Sequence, residues 1–391
     1  MKTISSSNDL AINGAKPAFS QALHVGRPNI GDRDDFIGRL NRVLDRGWLT
    51  NDGPLVRELE DSIAAFLGAK NCVAMCNGTV ALEIAVRALE LSGEVIVPSY
   101  TFVATVHALH WQAITPVFAD VDPASHNIDP ASVRKLITPK TSGIVGVHLW
   151  GRAAQHTELQ KIADEHGLKL MYDAAHAFGC SLNGTMIGNF GACEVFSFHA
   201  TKFFNTFEGG AVVTNDDDLA QKLRLMRNFG FAGYDNVIHP GINGKMVEAC
   251  AAMGLTNMQH IDKIVSANRS NYEAYADELS SSDNLAILEY DFEEKNNFQY
   301  IVLEIGPQSK CSRDDLVSAL HSENVLARKY FWPGCHRMSP YKDLFPNAGL
   351  LLPNTEAVAR RVIVLPTGPD VSRNDIKMIC AIILILVDGE K

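Results

Sequence analysis

Short apolar runs alternate with amphipathic stretches through the first part of the chain. The first two strand-like runs cover residues 71–76 and 94–98, and the stretch between them has apolar residues at helical spacing. Five further strand-like runs follow: "TPVFADV", "SGIVGVHL", "LKLMYD", "CEVFSF" and "AVVTND". Because helical patterns separate most of these runs, the sequence predicts a large, mostly parallel α/β sheet with helices on both faces.

The pattern changes near residue 260. A long helical stretch, "MQHIDKIVSANRSNYEAYADEL", is followed there by the strand-like runs "LAILEY" and "NFQYIVLEI". The apolar run at residues 378–387 is too short to cross a bilayer and predicts a buried terminal helix. We therefore expect an N-terminal arm (residues 1–25), a large domain (26–258) and a smaller C-terminal α+β domain (259–391).

Composition narrows the range of partners and compartments. The chain of 391 residues has 45 acidic and 35 basic residues, a net charge of -10, which argues against nucleic acid as a partner. Its eight cysteines form no CxxC pair and no zinc-binding spacing, so we expect reduced thiols and no metal. The polar N-terminus lacks the apolar core of a secretory signal. These features predict a cytoplasmic protein without a membrane partner.

Ligands in parallel α/β sheets bind beyond the carboxyl ends of the strands, so the residues after each strand are candidates for a site. Gly78 and Thr79 open a helix directly after the first strand. The free N–H groups and the dipole at such a helix start favour a phosphate group. The alternative is a simple strand-to-helix turn in which Thr79 caps the helix.

A carboxylate ends another strand. Asp173 closes the run "LMYD" and is followed by small residues and His176. Because burial of an unpaired charge is costly, this carboxylate needs a partner. The partner is either a ligand or, if Asp173 caps a following helix, the backbone of the chain itself.

A lysine follows the strand "CEVFS". Lys202 comes five residues after Ser197, and four phenylalanines surround it in the sequence: Phe198, Phe203, Phe204 and Phe207. Most lysines are exposed, but removal from water lowers the pKa of an amine and makes it nucleophilic. Such an amine is suited to a Schiff base with a carbonyl cofactor.

These candidates together match one ligand. The first helix start and Ser197 would hold a phosphate, Lys202 would bind an aldehyde, and Asp173 would keep a ring nitrogen protonated. Pyridoxal 5′-phosphate (PLP) has these three groups. The order of phosphate loop, aspartate and lysine, each after a strand, is more specific than any one of them.

The segments "DAAHAFG" and "SFHATKFFNTFEGGAVVTND" resemble the DegT/StrS-type nucleotide-sugar aminotransferases, which are PLP enzymes of fold type I, the aspartate-aminotransferase fold. The resemblance extends over nearly the whole chain and includes residues 47–60, 98–105, 241–255 and, more loosely, 327–341. It implies that Lys202 carries the cofactor and moves the proton, while Asp173 pairs with the ring nitrogen. It also implies that Phe102 stacks on the ring and that His176 lies near the ring hydroxyl.

The resemblance further implies how the phosphate and the substrate are held. Gly78, Thr79 and Ser197 would hold the phosphate, and Asn243 would reach the phosphate of a neighbouring subunit, so we expect a homodimer with shared sites. Tyr330 and His336 lie in the late segment and are candidates for substrate contact. Ordinary packing is the alternative for both.

The expected activity is transamination with L-glutamate as the amino donor, in which the cofactor cycles through pyridoxamine 5′-phosphate. The stretch "FEGG" after the lysine is similar to that of enzymes which aminate C4 of a dTDP-4-keto-6-deoxyhexose. That reaction belongs to deoxyamino-sugar biosynthesis for O-antigen, another surface glycan or an antibiotic. The alternatives are a 3-keto-sugar enzyme, a GDP- or UDP-sugar enzyme, and a regulator with this fold but without catalysis.

Overall fold

The computed structural model describes residues 4–389 of the chain. The helices are α1 (Arg33–Arg46), α2 (Pro54–Leu67), α3 (Gly78–Ala88), α4 (Val103–His110), α5 (Pro130–Leu136), α6 (His156–His166), α7 (Asp217–Met226), α8 (Glu248–Met258), α9 (Ile261–Leu279), α10 (Arg313–Ser322), α11 (Tyr341–Leu344), α12 (Pro353–Arg361) and α13 (Arg373–Asp388). The strands are β1 (Leu23–His24), β2 (Asn71–Met75), β3 (Glu94–Pro98), β4 (Thr115–Ala119), β5 (Thr141–Val147), β6 (Lys169–Asp173), β7 (Ser181–Leu182), β8 (Thr185–Met186), β9 (Cys193–Ser197), β10 (Gly210–Thr214), β11 (Leu285–Ile287), β12 (Ile301–Ile305), β13 (Val325–Leu326) and β14 (Val362–Leu365).

A seven-stranded sheet forms the centre of the large part of the molecule. Its strand order is β2-β10-β9-β6-β5-β3-β4, and only β10 runs antiparallel to its neighbours. Most of its strand residues are buried, which accounts for their near-continuous apolar sequences, since helices cover both faces of such a sheet. The predicted α/β fold with a large, mostly parallel sheet is confirmed.

The connection from β2 to α3 shows how the sequence positions the start of a helix at the edge of the sheet. After β2, the side chain of Asn77 accepts a hydrogen bond from the backbone N–H of Val80 and caps α3. Leu82 and Ala85 of α3 then pack into the core. The helix therefore begins at the carboxyl end of β2.

A glycine lets β10 pass close to this helix start. A Cβ atom on Gly210 would lie 2.7 Å from the carbonyl oxygen of Phe196 and 2.8 Å from the backbone nitrogen of Gly78. No other residue fits at such distances without moving the backbone. The second glycine of "EGG" is therefore required where β10 enters the sheet.

The smaller part of the molecule is built on a three-stranded antiparallel sheet of order β11-β12-β14. Helices α9, α10 and α13 contribute to its apolar core, in which Ile379, Ile382 and Ile383 of α13 are buried. The predicted terminal helix therefore lies within α13. Among residues 4–389, no helix combines the length and the apolar character needed to cross a membrane.

The N-terminal segment packs on the smaller part. Strand β1 pairs in parallel with β13, and the side chains of Ile4 and Leu10 join the same apolar core. Helix α8 ends at Met258 and α9 begins at Ile261. The three-part division at residues 25 and 258 stays a prediction, and its residues 1–3 and 390–391 lie outside the described residues.

Candidate active site

A cavity of about 610 Å³ lies at the carboxyl edge of the seven-stranded sheet. Its lining includes eight of the residues predicted from the sequence: Gly78, Thr79, Phe102, Asp173, His176, Ser197, Lys202 and Tyr330. Neither Asn243 nor His336 lines it. The strands thus bring together side chains that are more than 120 positions apart in the sequence.

The amine of Lys202 lies inside this cavity. Its Nζ donates a hydrogen bond to the hydroxyl of Tyr300 at 3.2 Å. Burial lowers the pKa of Lys202 to about 8, although the charge of Asp173 acts in the opposite direction. Near pH 8 a large fraction of the amine is therefore neutral and nucleophilic.

The apolar surroundings of Lys202 differ from those expected. Three of the four neighbouring phenylalanines pack with Phe178 in the core beneath the turn: Phe198, Phe203 and Phe204. The fourth, Phe207, is 44% exposed, and none of the four lines the cavity. These rings anchor the turn, whereas the desolvation of the amine comes from its position inside the cavity.

Asp173 ends β6 with its carboxylate buried against the cavity. Its Oδ2 accepts a hydrogen bond from Thr105 Oγ1 at 2.7 Å, and its Oδ1 accepts one from the backbone N–H of Ala175 at 3.0 Å. Burial raises the pKa of Asp173, while these two hydrogen bonds and the charge of Lys202 lower it. The carboxylate does not cap a helix, since the next element after Asp173 is β7. A buried carboxylate with two neutral donors is suited to a cationic partner in the cavity.

His176 presents an N–H group to the cavity. Its Nδ1 accepts a hydrogen bond from the backbone N–H of Trp150 at 3.2 Å, so the proton of the neutral ring lies on Nε2. Burial lowers the pKa of His176 far below its usual value and keeps the ring neutral. The rings of Trp150 and Phe331 stack against it at centroid distances of 5.7 and 5.8 Å. His176 is thus a fixed neutral donor.

The start of α3 and the end of β9 form a cradle for an anion. A Cβ atom on Gly78 would lie 2.9 Å from the Cβ of Ser197, so the glycine keeps this space open. Within residues 4–389, the backbone N–H groups of Gly78 and Thr79 and the hydroxyl of Ser197 have no protein acceptor. Two amides at a helix start and one hydroxyl are suited to a phosphate. Together with Lys202 and Asp173, this donor set fits PLP.

Aromatic side chains form the mouth and the opposite side of the cavity. Phe102 precedes α4, is 56% exposed and lies 6.3 Å from the ring of Phe331. The hydroxyl of Tyr100 donates to the backbone oxygen of Tyr330 at 2.6 Å and ties the two loops together. Phe102 is accessible from the cavity, as its predicted stacking role requires.

Two predicted residues lie elsewhere. Asn243 is exposed and forms an isolated backbone bridge with Asn228, so its predicted contact with the phosphate of a second subunit stays a prediction. His336 is buried, and its Nδ1 and Nε2 bond to Ser99 Oγ at 2.7 Å and Glu356 Oε1 at 3.0 Å. Because both ring nitrogens have protein partners, the structure favours the packing role for His336 over substrate contact.

The sequence did not reveal several residues of the site. Thr105 lies 68 positions before its partner Asp173, and Tyr300 lies 98 positions after Lys202. Thr105 and Phe331 lie in segments that resemble the family, 98–105 and 327–341, but the resemblance assigned no role to either residue, and Tyr300 lies in no such segment. Among the described residues, no group of three or more His, Cys, Asp or Glu side chains is arranged to hold a metal ion.

The sequence of the chain matches known proteins over almost its full length. Residues 31–384 match the model of the DegT/DnrJ/EryC1/StrS aminotransferase family. The chain is 35% identical over 367 residues to the dTDP-4-amino-4,6-dideoxy-D-glucose transaminase of Escherichia coli, covering 93% of this chain and 98% of that protein. It is 32% identical over 348 residues to the GDP-perosamine synthase of Vibrio cholerae, covering 87% and 93%.

Comparison with solved structures indicates a relationship to the same kind of enzyme. The crystal structure of DesI in the presence of its TDP-sugar product superposes with a TM-score of 0.92 at 46% identity and covers 98% of this chain and 97% of that one. Helicobacter pylori PseC, an aminotransferase involved in the biosynthesis of pseudaminic acid, superposes with a TM-score of 0.87 at 26% identity, covering 94% and 100%. The chain therefore belongs to the DegT/DnrJ/EryC1/StrS aminotransferase family, whose members have the PLP-dependent fold expected from the sequence.

Proposed function

We propose that the chain is a PLP-dependent aminotransferase that converts a dTDP-4-keto-6-deoxyhexose to the 4-amino-4,6-dideoxy sugar, such as dTDP-4-amino-4,6-dideoxyglucose. L-Glutamate is the proposed amino donor. The observation that carries the proposal is the convergence of Lys202, Asp173 and the anion cradle at Gly78 in one cavity. The substrate class rests on the 35% identity to the E. coli transaminase and on the DesI structure with its TDP-sugar product.

When bound, PLP supplies an aldehyde that condenses with amines and a ring that takes up electrons as a Cα–H bond breaks. Lys202 is placed to hold the cofactor through its amine and, once released, to take a proton from the donor and return it. Its pKa of about 8 suits both directions of this transfer near neutral pH. Asp173 would hold a proton on the ring nitrogen by its buried negative charge.

The other residues fix the position of the cofactor. Gly78, Thr79 and Ser197 would bind the phosphate, His176 would donate its Nε2–H to the ring hydroxyl, and Phe102 would cover the ring. These assignments follow the donors and acceptors described above.

The proposal includes a homodimer in which Asn243 of each subunit completes the other subunit's phosphate site. The exposed position of Asn243, outside its own cavity, is compatible with this arrangement. We further propose a cytoplasmic enzyme of deoxyamino-sugar biosynthesis for O-antigen or a related glycan or natural product. The eight cysteines are free thiols, as in proteins of a reducing compartment.

An amination assay tests the substrate. The purified chain is incubated with PLP, L-glutamate and one of three keto sugars: dTDP-4-keto-6-deoxyglucose, the corresponding GDP-4-keto-6-deoxy sugar or a dTDP-3-keto sugar. NMR then identifies the carbon that carries the new amine and its configuration. We expect a 4-amino product, formed fastest from the first sugar. Faster turnover of the GDP sugar would contradict the nucleotide assignment, and a 3-amino product would contradict the position.

A spectroscopic assay separates an enzyme from a silent protein of the same fold. Addition of L-glutamate alone should convert the absorbance of lysine-bound PLP to that of pyridoxamine 5′-phosphate. Lys202→Ala is the matched control and should show no such conversion. An unchanged wild-type spectrum would reject L-glutamate as donor, and unchanged spectra with a panel of amino acids would reject catalysis.

A further inference from the structure

The hydroxyl of Tyr300 is the hydrogen-bond partner of the Lys202 amine, and sequence motifs give no indication of it. Tyr300 lies directly before β12, is buried and lines the cavity. Its hydroxyl oxygen lies 3.2 Å from Lys202 Nζ, and the ring centroid lies 5.8 Å from the same atom. Besides this amine, the side chain of the neighbouring Gln299 acts on the Tyr300 hydroxyl.

We propose that Tyr300 is a positioning residue, which orients the free amine of Lys202 while that amine takes up and returns the substrate proton. The inference rests on the proposed aminotransferase function. A phenol hydroxyl both donates and accepts hydrogen bonds. It can therefore accept from the ammonium form of Lys202 and donate to the neutral amine, whereas a carboxylate would favour only the charged form.

The surrounding structure fixes the position of this hydroxyl. The backbone oxygen of Tyr300 accepts a hydrogen bond from the hydroxyl of Tyr290 at 3.0 Å, and its ring lies 4.5 Å from that of His176. The neighbouring Gln299 accepts a hydrogen bond through Oε1 from the backbone N–H of Phe203 at 3.1 Å. Since Phe203 follows Lys202 in the turn, the segment that carries Tyr300 is tied directly to the turn that carries the lysine.

The charge state of Tyr300 supports the same role. Burial raises the pKa of this phenol, although the side chain of Gln299 partly opposes the rise. Tyr300 therefore stays a neutral hydroxyl over the pH range in which Lys202 titrates. It keeps its proton and its acceptor oxygen while the amine changes charge.

Competitive labelling of the full chain without cofactor tests the contact independently of catalysis. Trace acetic anhydride is applied between about pH 6 and pH 10, and mass spectrometry measures the extent of labelling at Lys202. In Tyr300→Phe both forms of the amine lose a hydrogen bond, but the ammonium form loses the stronger one because its donor is charged, so the midpoint should fall by about half a pH unit or more. Tyr275→Phe is the matched control, because its buried hydroxyl bonds to the Pro366 oxygen outside the cavity. Its midpoint should equal that of the wild type.

A kinetic measurement tests positioning in the complete enzyme. With PLP bound and an amino donor deuterated at Cα, Tyr300→Phe should lower kcat roughly tenfold and raise the deuterium isotope effect, with little change in the KM of the donor. Placing 3-fluorotyrosine at position 300 weakens the acceptor without removing it. This variant should lower the labelling midpoint by less than Tyr300→Phe does. It also provides the test if Tyr300→Phe fails to fold.

An unchanged or higher labelling midpoint in a folded variant would overturn the inference. So would a lower kcat with an unchanged isotope effect. The labelling experiment needs neither sugar nor amino donor, so it can fail while the proposed function holds. Conversely, a wild-type chain that aminates no keto sugar would contradict the proposed function and leave the labelling result intact.

Discussion

Two walls of the cavity are built in different ways. One wall, which we call the sheet wall, consists of residues at or just beyond the carboxyl ends of strands in the seven-stranded sheet: Gly78, Asp173, Ser197 and Lys202. We call loop wall the aromatic residues from the smaller part of the molecule: Tyr300, Tyr330 and Phe331. The sheet wall contains charges and hydrogen-bond donors, whereas the loop wall is formed by rings.

This difference in composition indicates that the two walls have different functions. Groups that must act on a cofactor are fixed by a rigid sheet, whose strand ends all meet at one edge. In the loop wall, Tyr300 contacts the Lys202 amine, whereas Tyr330 and Phe331 are suited to contact the variable part of a substrate. Substitutions in the sheet wall should therefore impair both half-reactions, while substitutions of Tyr330 should affect the sugar alone.

The largest effect is expected for Lys202→Ala. The variant should lose turnover completely and lack the visible absorbance of lysine-bound PLP, since no other amine lines the cavity in the described part of the chain. Circular dichroism should show an unchanged fold because, within residues 4–389, the Lys202 side chain has a single hydrogen-bond partner, Tyr300. Lys222→Ala is the control, since Lys222 pairs with Glu90 outside the cavity. Repeated turnover by Lys202→Ala would show that another residue moves the proton.

The second effect is expected for Asp173→Asn. A neutral amide cannot hold a proton on a ring nitrogen by charge, so both half-reactions should slow by roughly 10²-fold or more. Stopped-flow absorbance measures each half-reaction separately. Thr105→Val removes one hydrogen bond from the same carboxylate but leaves its charge in place, so it should slow both half-reactions less than Asp173→Asn does. Near-normal rates in Asp173→Asn with fully bound cofactor would remove Asp173 from this role.

A smaller effect is expected for Asn243→Ala, and it tests whether each site also needs a partner subunit. Loss of one hydrogen bond to a phosphate costs about 1.5–3 kcal/mol, so PLP should bind roughly one to two decades more weakly. Equilibrium titration of the cofactor absorbance measures this. Asn236→Ala is a control on an exposed residue of the same loop and should bind PLP normally.

Mixed dimers show which subunit supplies Asn243. In a dimer of one Lys202→Ala chain and one Asn243→Ala chain, the site that keeps Lys202 receives an intact Asn243 only from its partner. Normal PLP affinity should then return at that site after mixing. Affinity that stays weak would place Asn243 within its own chain, and full activity of a monomer would also exclude shared sites.

The sheet wall was predictable from sequence for a physical reason. An apolar run of five or so residues identifies a buried strand, and the residue after it must lie at the sheet edge. Asp173 and Lys202 therefore came together in the prediction before any contact was known. The prediction assigned the desolvation of Lys202 to the wrong rings, because sequence neighbours in a turn point in several directions. Phe198 and Phe204 are directed into the core.

The loop wall was less predictable because its positions depend on long-range packing. Tyr300 has no sequence feature that relates it to Lys202, since the two meet only after the smaller part packs on the sheet. The resemblance made Tyr330 and His336 equal candidates for substrate contact. In the structure, Tyr330 lines the cavity and His336 is buried outside it. Only six positions separate them, and their side chains have different surroundings because a short turn lies between them.

The smallest effect is expected for Tyr330→Phe, which tests the loop wall directly. Tyr330 is half-buried, and its ring lies 5.0 Å from the guanidinium of Arg328. No hydrogen bond to its hydroxyl is present among the described residues, so this group is available to a substrate. Loss of one hydrogen bond between neutral groups costs about 0.5–1.5 kcal/mol, which corresponds to a KM for the keto sugar roughly two- to tenfold higher.

The reaction with the amino donor alone shows whether Tyr330 contacts the sugar or also acts on the cofactor. If Tyr330 serves the sugar alone, the rate at which the donor converts bound PLP should be unchanged in Tyr330→Phe. Tyr234→Phe is the control, because Tyr234 is fully exposed and outside the cavity. A slower donor reaction in Tyr330→Phe would mean that Tyr330 acts on the cofactor, as the sheet wall does. Tyr330 would then belong with Tyr300 among the residues that serve the proton transfer, because a residue used only for sugar recognition has no contact to lose before the sugar binds.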